Sequence, residues 1–178
     1  MTYQFLSGLH LGSAISALVF GLCIFLTRKG SRLHKQLGYA YSFNMLALNL
    51  SALFIYRLTG HFGPFHGAAL ASLLTLSAGF ISAYVRLPQG QWLQRHDEFM
   101  NWSYVGFVAA GVSEAMTRLP SAPFWPAIAI STLLVFLLGG ILIGMGRGKY
   151  NFERLASTNK SDAQAGLAAA LKRRRADC

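Results

Sequence analysis

Long runs of apolar residues dominate the chain. Five runs are close to twenty residues long, and most of the charged side chains lie between them. A helix that crosses the hydrocarbon core of a bilayer needs roughly 20 mainly apolar residues, and a lipid-facing backbone has to satisfy its own hydrogen bonds, which favours helices. The pattern therefore predicts an all-α, polytopic transmembrane helix bundle, with five spans at about residues 5–27, 37–56, 67–85, 99–116 and 126–145.

The composition agrees with this class and excludes others. The 178 residues include 16 Lys and Arg against 6 Asp and Glu, a net charge of +10, yet 53% of residues are hydrophobic and 12% are charged. A disordered chain would carry more charge and fewer aromatic rings. The cations follow the ends of the spans and do not form one basic face, so nucleic-acid binding is not expected. Two cysteines, Cys23 and Cys178, do not make a disulfide framework.

The basic residues predict how the spans are oriented. The loops on one side hold eight cations, Arg28, Lys29, Arg32, Lys35, Arg86, Arg95, Arg147 and Lys149, and the loops on the other side hold two, Arg57 and Arg118. Short cytoplasmic loops carry the excess of Lys and Arg in most membrane proteins. We therefore expect the N-terminus outside and the C-terminus in the cytoplasm.

The composition changes after the fifth span. Residues 1–146 form the predicted bundle, and residues 147–178 form a polar, basic cytoplasmic tail with the run Lys172-Arg173-Arg174-Arg175. Such a run can rest on anionic lipid, at about 1 kcal/mol for each cation. The alternative, a solvated end that fixes the topology, is the favoured interpretation. The bilayer is the expected partner.

Spans 2–3 and 4–5 follow a similar plan. His34 opens the first pair and His96 opens the second, and each leading span closes on Arg-Leu, at Arg57 and Arg118. The outer loops continue the likeness with Gly63-Pro64-Phe65 and Ala122-Pro123-Phe124. The pattern indicates a parallel internal repeat.

Histidines near the span ends are the leading candidates for chemistry, because ionisable groups are costly in or beside hydrocarbon. A b-type haem between helices needs two facing imidazoles. His34 with His96 is one candidate ligand pair, at the inner face, and His10 with His66 is a second, at the outer face. The alternative is that these imidazoles only contact headgroups or water.

Two other polar groupings are weaker candidates. Glu114 and Arg118 are four residues apart, and with Arg57 they could form an anion site, although a helix-end ion pair is the simpler interpretation. His61 and His66 have no recognised ligand spacing, so no metal site is predicted. The chain has no nucleotide-binding or hydrolase motif, and no catalytic residue is assigned.

The string Leu33-His34-Lys35-Gln36-Leu37-Gly38-Tyr39-Ala40-Tyr41, with Pro64-Phe65-His66 and His96-Asp97-Glu98-Phe99-Met100, resembles domain-of-unknown-function family 2306, a group of small bacterial membrane proteins. The resemblance covers about residues 28–119. It implies a polytopic inner-membrane protein of unassigned activity and singles out His34, His66, His96 and Met100. Family members commonly have a basic residue after the histidine that corresponds to His96, where this chain has Asp97. This difference argues against an anion-binding site at the inner face.

Two functions follow from these observations. The favoured one is a non-enzymatic membrane component, such as a small carrier or an accessory subunit. The alternative is a membrane redox protein that holds haem b and passes electrons between quinol and a partner protein.

Overall fold

The computed structural model describes residues 2–56, 60–86, 91–120 and 123–146, and all regular structure in these segments is helical. The helices are α1 (Thr2–Leu26), α2 (Arg32–Leu53), α3 (Pro64–Val85) and α4 (Trp92–Thr117), followed by α5 (Phe124–Gly146). The prediction of an all-α chain with five helices is confirmed. The predicted tail and Arg57 lie outside the described residues.

Two helices begin at least five residues before the apolar runs that predicted them. α2 starts at Arg32, where the Ser31 side chain caps the first turn by accepting a hydrogen bond from the His34 backbone N–H. α4 starts at Trp92, well before the apolar run at residue 99. The serine cap stabilises the charged first turn of α2. Among the described residues no side chain caps α4, whose first turns extend the helix before its apolar run.

Three of the five helices are long and apolar enough to cross a membrane by length and composition. These are α1 over Tyr3–Leu26, α3 over Pro64–Val85, and α5 over Phe124–Gly146. α2 and α4 are as long, at 22 and 26 residues, but their first turns carry charged side chains. The five helices are therefore shown, and three of them qualify as spans on hydropathy.

Successive helices are antiparallel. Asn49 near the end of α2 donates to Ser72 near the start of α3, at 3.0 Å. His96 near the start of α4 contacts the carbonyl of Gly79 near the end of α3, at 2.8 Å. As a result α2 and α4 run in the same direction, and residues near their N-termini share one end of the bundle.

Small and hydroxyl-bearing side chains are buried, whereas many large apolar ones are exposed. The central cluster is Ala17, Tyr41, Met45, Leu48 and Leu76, and six buried serines are Ser13, Ser51, Ser82, Ser103, Ser113 and Ser131. Phe43 and Leu74 by contrast are 71% and 73% exposed. Lipid tails are as apolar as Leu, so helices in a bilayer meet through small and polar residues and turn large apolar groups outward.

The chain divides into two units after Phe136. The first unit, residues 1–136, contains α1–α4, the first half of α5 and every candidate site residue that the structure describes. In the second unit the described residues, 137–146, continue the helix and expose apolar side chains at Leu138, Leu142 and Met145.

Candidate functional site

Four histidines are distributed one to a helix over α1–α4. His34 and His96 lie in the first two turns of α2 and α4, His66 lies in the first turn of α3, and His10 lies in the first half of α1. Because successive helices are antiparallel, the rings form two layers. His34 and His96 share the end that also holds Lys29, here called the Lys29 end, and the other two lie toward the opposite end.

The ring of His96 is fixed by a backbone carbonyl. Its Nδ1 lies 2.8 Å from the Gly79 oxygen, and since a carbonyl can only accept, the proton is on Nδ1 and the neutral ring keeps a lone pair on Nε2. A Cβ at Gly79 would lie 2.9 Å from Met100 Sδ and 3.2 Å from Phe99 Cβ. The absence of a side chain there lets α3 approach α4 closely enough to orient His96.

His34 faces the same region from α2. Its Nδ1 is buried and has no hydrogen-bond partner among the described residues. Burial, and then the nearby charges of His96 and Lys29, lower the pKa of the His34 imidazole, which precedes the apolar run of α2. The two rings lie at the same end of the bundle, in the first two turns of helices that run in the same direction. The neutral imidazole so favoured is the form that binds metal ions.

Mixed charge surrounds this histidine pair. Lys29, in the loop after α1, forms an ion pair with Asp97 of α4, and Asn101 donates to the second carboxylate oxygen at 3.2 Å. Arg86 ends α3 in the left-handed conformation, with φ 57°, and its guanidinium lies 5.6 Å from the centre of the Trp92 ring. The Asp97 carboxylate lies among these cations, so this end does not present a purely positive surface.

At the opposite end, His10 contacts α2. Its Nδ1 lies 3.2 Å from Ser51 Oγ, and the Ser51 hydroxyl itself donates to the Leu48 carbonyl at 2.9 Å. The Ser51 oxygen is therefore an acceptor, and His10 donates through Nδ1. This contact ties the N-terminal half of α1 to the last turns of α2.

His66 has a different hydrogen-bond pattern. It is 3% exposed and lies between the rings of Tyr56 and Phe62, with centroids 4.6 Å and 5.0 Å away. The Gly63 N–H donates to His66 Nδ1 at 3.1 Å, so the neutral ring carries its proton on Nε2. That buried N–H has no partner within the described part of the chain. This tautomer offers a donor where a metal ligand would need a lone pair.

The predicted anion site is only partly described. Glu114 and Arg118 form an ion pair across one turn of α4, and both side chains are partly exposed. Arg57 lies outside the described residues. The pair is the helix-end arrangement that the sequence favoured. Within the described segments, no three His, Cys, Asp or Glu side chains meet as a metal site would require.

A cavity and its hydroxyl groups were missed by the sequence reasoning. The cavity has a volume of about 380 Å³, lies between α3, α4 and α5, and is lined in part by Ser72 and Ser103. Ser103 Oγ is 3.3 Å from the Tyr41 hydroxyl of α2. Tyr41 and Ser103 each follow a candidate histidine by seven residues, which is two helical turns. That spacing could have indicated a pair of polar side chains two turns further into the bundle, on the same faces of α2 and α4 as the histidines.

Comparison with known proteins identifies the family. The sequence model for the family described as "Predicted membrane protein (DUF2306)" matches residues 8–145. The chain belongs to this family. No curated protein and no solved structure matches the chain.

Membership in DUF2306 confirms the resemblance seen in the sequence and extends it. The motifs indicated residues 28–119, whereas the match also includes most of α1 and nearly all of α5. The earlier limit was too narrow because apolar spans carry few distinctive residues. The DUF2306 protein is a multi-pass membrane protein whose helices contact lipid, and its family is one of unknown function.

Proposed function

We propose that all five helices cross a bacterial cytoplasmic membrane, with the N-terminus outside and the C-terminus in the cytoplasm. α2 and α4 exceed the roughly 20 residues that a span needs, and they bury polar side chains such as Asn49 and Ser113 against neighbouring helices. The excess of cations in alternate loops supports this orientation. Fluorescent-protein and alkaline-phosphatase fusions after Gly146 test it, and an active phosphatase there would contradict it.

We further propose that the Lys29 end binds a b-type haem, which His34 and His96 would hold. The observation that carries this proposal is the orientation of His96. A backbone carbonyl holds its Nδ1–H, as in most metal-ligating histidines, and leaves the Nε2 lone pair available. His34 lies at the same end of the bundle on α2, which runs in the same direction as α4, and one of its ring nitrogens is buried without a partner among the described residues.

The chain's own groups suit this role. Ser31 fixes the first turn of α2, and Gly79 lets α3 supply the carbonyl that orients His96. Burial lowers the pKa of His34, which favours the neutral imidazole. Haem iron between two imidazoles would accept and return one electron at a time, which fits a protein that passes electrons between quinol and a partner protein.

The second predicted ligand pair, His10 and His66, has weaker support. The Gly63 N–H points at His66 Nδ1 and places the ring proton on Nε2, so ligation through Nε2 would require this hydrogen bond to break. His66 instead has a structural role, because its side chain accepts an otherwise unpaired N–H at the start of α3. We therefore propose one haem for each chain.

The test is the absorption spectrum of the full chain, expressed with ample haem precursor and purified in detergent. We expect a Soret band, reduced α-band absorption and about one haem per chain. His34→Ala and His96→Ala should lose both bands, whereas His61→Ala, which alters an exposed histidine in the loop before α3, should keep them. Two haems per chain, lost in part in His10→Ala and His66→Ala, would restore the outer site.

A colourless protein would reject haem binding and leave the other function, a non-enzymatic carrier or accessory subunit. The observation that favours this second function is that His66 accepts the Gly63 N–H at the start of α3 and that buried serines such as Ser113 join neighbouring helices. Only variants that reach the membrane in wild-type amounts are compared. A lost Soret band then reports loss of haem and not loss of the protein.

A further inference from the structure

We propose that the cavity between α3, α4 and α5 binds the ring of a membrane quinone, with the hydroxyls of Ser72 and Ser103 as hydrogen-bond donors to its carbonyl oxygens. The inference rests on the proposed redox function, since it names where the quinone would sit. Binding is measured independently of haem, so the two proposals can fail separately.

The cavity has the size and the walls of a small-ligand site. Its volume of about 380 Å³ lies near the lower end of the usual range, roughly 300–1,000 Å³. Gly106 and Ala109 line the α4 side of the cavity with small side chains that leave space for a ligand. The Trp102 ring of α4 stacks on Phe136 of α5, with centroids 5.8 Å apart and an interplanar angle of 20°. Small side chains beside parallel aromatic rings suit a flat ring with an apolar tail.

Ser72 is prepared as a donor by its neighbour on α2. Asn49 uses one amide N–H to bond the Met45 carbonyl, at 2.8 Å, and the other to bond Ser72 Oγ, at 3.0 Å. The serine oxygen accepts in this bond, so its own proton remains available to another acceptor. Asn49 is itself 5% exposed, so the arrangement is part of the interior.

Ser103 has a similar partner. Its oxygen lies 3.3 Å from the Tyr41 hydroxyl, and both residues are at most 2% exposed. When Tyr41 donates in this contact, the Ser103 proton is available to a group in the cavity. An acyl chain would leave both serine donors unused in hydrocarbon, whereas the carbonyl oxygens of a quinone can accept from them.

The position also relates the cavity to the histidine pair. Tyr41 and Ser103 follow His34 and His96 by seven residues on the same two helices, so they lie about 10 Å along the helix axes and on the same faces. A quinone that contacts Ser103 would therefore lie about 10 Å along α4 from His96, on the side of Ser103 that faces the cavity.

The experiment measures equilibrium binding of tritiated decylubiquinone to the full chain in phosphatidylcholine nanodiscs, with empty nanodiscs as the partition baseline. We expect saturable binding above this baseline. Gly106→Leu fills the cavity and should weaken binding at least tenfold. Gly111→Leu is the matched control, because it lies on the same helix, outside the cavity lining, and a Cβ there also has no atom within 4 Å.

The serine variants test the recognition itself. Ser72→Ala and Ser103→Ala should each weaken binding about fivefold, the usual effect of one neutral hydrogen bond, and decylbenzene, which has no carbonyl oxygen, should compete poorly. Equal binding by Gly106→Leu and Gly111→Leu would overturn the site. Equal competition by decylbenzene would show a site for apolar chains and would also overturn the proposal.

The outcomes separate this site from the haem proposal. Saturable quinone binding to a colourless protein would reject the haem and retain the cavity site. A haem spectrum with quinone bound no better than to empty nanodiscs would reject the cavity site and retain the haem.

Discussion

The contact of α1 with Tyr104 of α4 depends on the absence of a side chain at Gly21. A Cβ at this position would lie 2.5 Å from Tyr104 Cδ2 and still closer to Cε2. The Tyr104 ring is held from two sides, because its hydroxyl donates to the Leu18 carbonyl at 3.2 Å and its edge packs on Phe25 at 5.3 Å between centroids. In Gly21→Ala, either this ring or the whole of α1 must therefore move.

The expected loss of stability can be estimated from these contacts. Overpacking of a well-packed interior costs about 1–3 kcal/mol, and loss of the hydrogen bond from Tyr104 to the Leu18 carbonyl adds about 1 kcal/mol. Replacing a helical glycine by alanine returns about 0.5–1 kcal/mol. We therefore expect Gly21→Ala to lower the free energy of unfolding by about 2 kcal/mol.

Gly38→Ala is the matched control, because this glycine also lies inside a helix but a Cβ there meets no atom within 4 Å. We expect it to be neutral or slightly stabilising. The measurement is unfolding of the detergent-solubilised protein by SDS, followed by far-ultraviolet circular dichroism and Trp fluorescence. Equal midpoints for the two variants would refute the packing of α1 against α4.

Three further predictions concern α3, α4 and α5. Gly79→Ala should displace the carbonyl that orients His96, and we expect the purified variant to lose the haem proposed above while its thermal midpoint changes little. A lowered thermal midpoint with haem content unchanged would indicate a packing effect alone. Asp97→Asn should lower the free energy of unfolding by less than about 1 kcal/mol, because its ion pair with Lys29 is partly exposed, and the loss should shrink at high salt. Ser113→Ala removes hydroxyl contacts of 2.9 Å to α5 and should cost about 0.6–1.7 kcal/mol in SDS unfolding, the range measured between membrane helices; no change would mean that these hydroxyls do not join the helices.

Much of the fold could be predicted from the order of residues. Apolar runs of near-constant length gave all five helices, because the length of a span is set by bilayer thickness and the rise of a helix. The starts of α2 and α4 were missed, since Arg32 and Trp92 precede the apolar runs and hydropathy does not report a polar first turn of a helix. The predicted repeat, orientation and tail contacts remain predictions.

The candidate site was predicted in part. The spacing of spans placed His34 and His96 at one end and His10 and His66 toward the other, and the antiparallel order of the helices agrees with this division. The sequence could not predict which ring nitrogen of each histidine donates a hydrogen bond and which accepts one. The Gly79 carbonyl lies seventeen residues from His96 along the chain, and it decides which nitrogen of that ring keeps its lone pair.

The sequence by itself therefore determined that the solvent of this chain is lipid, where its helices lie and which titratable groups share each end. Those properties follow from composition and local periodicity. The tertiary structure decided which nitrogens are protonated, which glycines permit close approach, and that serines from two helices line one cavity between α3, α4 and α5. These features depend on contacts between helices, and side-chain hydrogen bonds act over about 3 Å, a scale that spacing along a sequence does not specify.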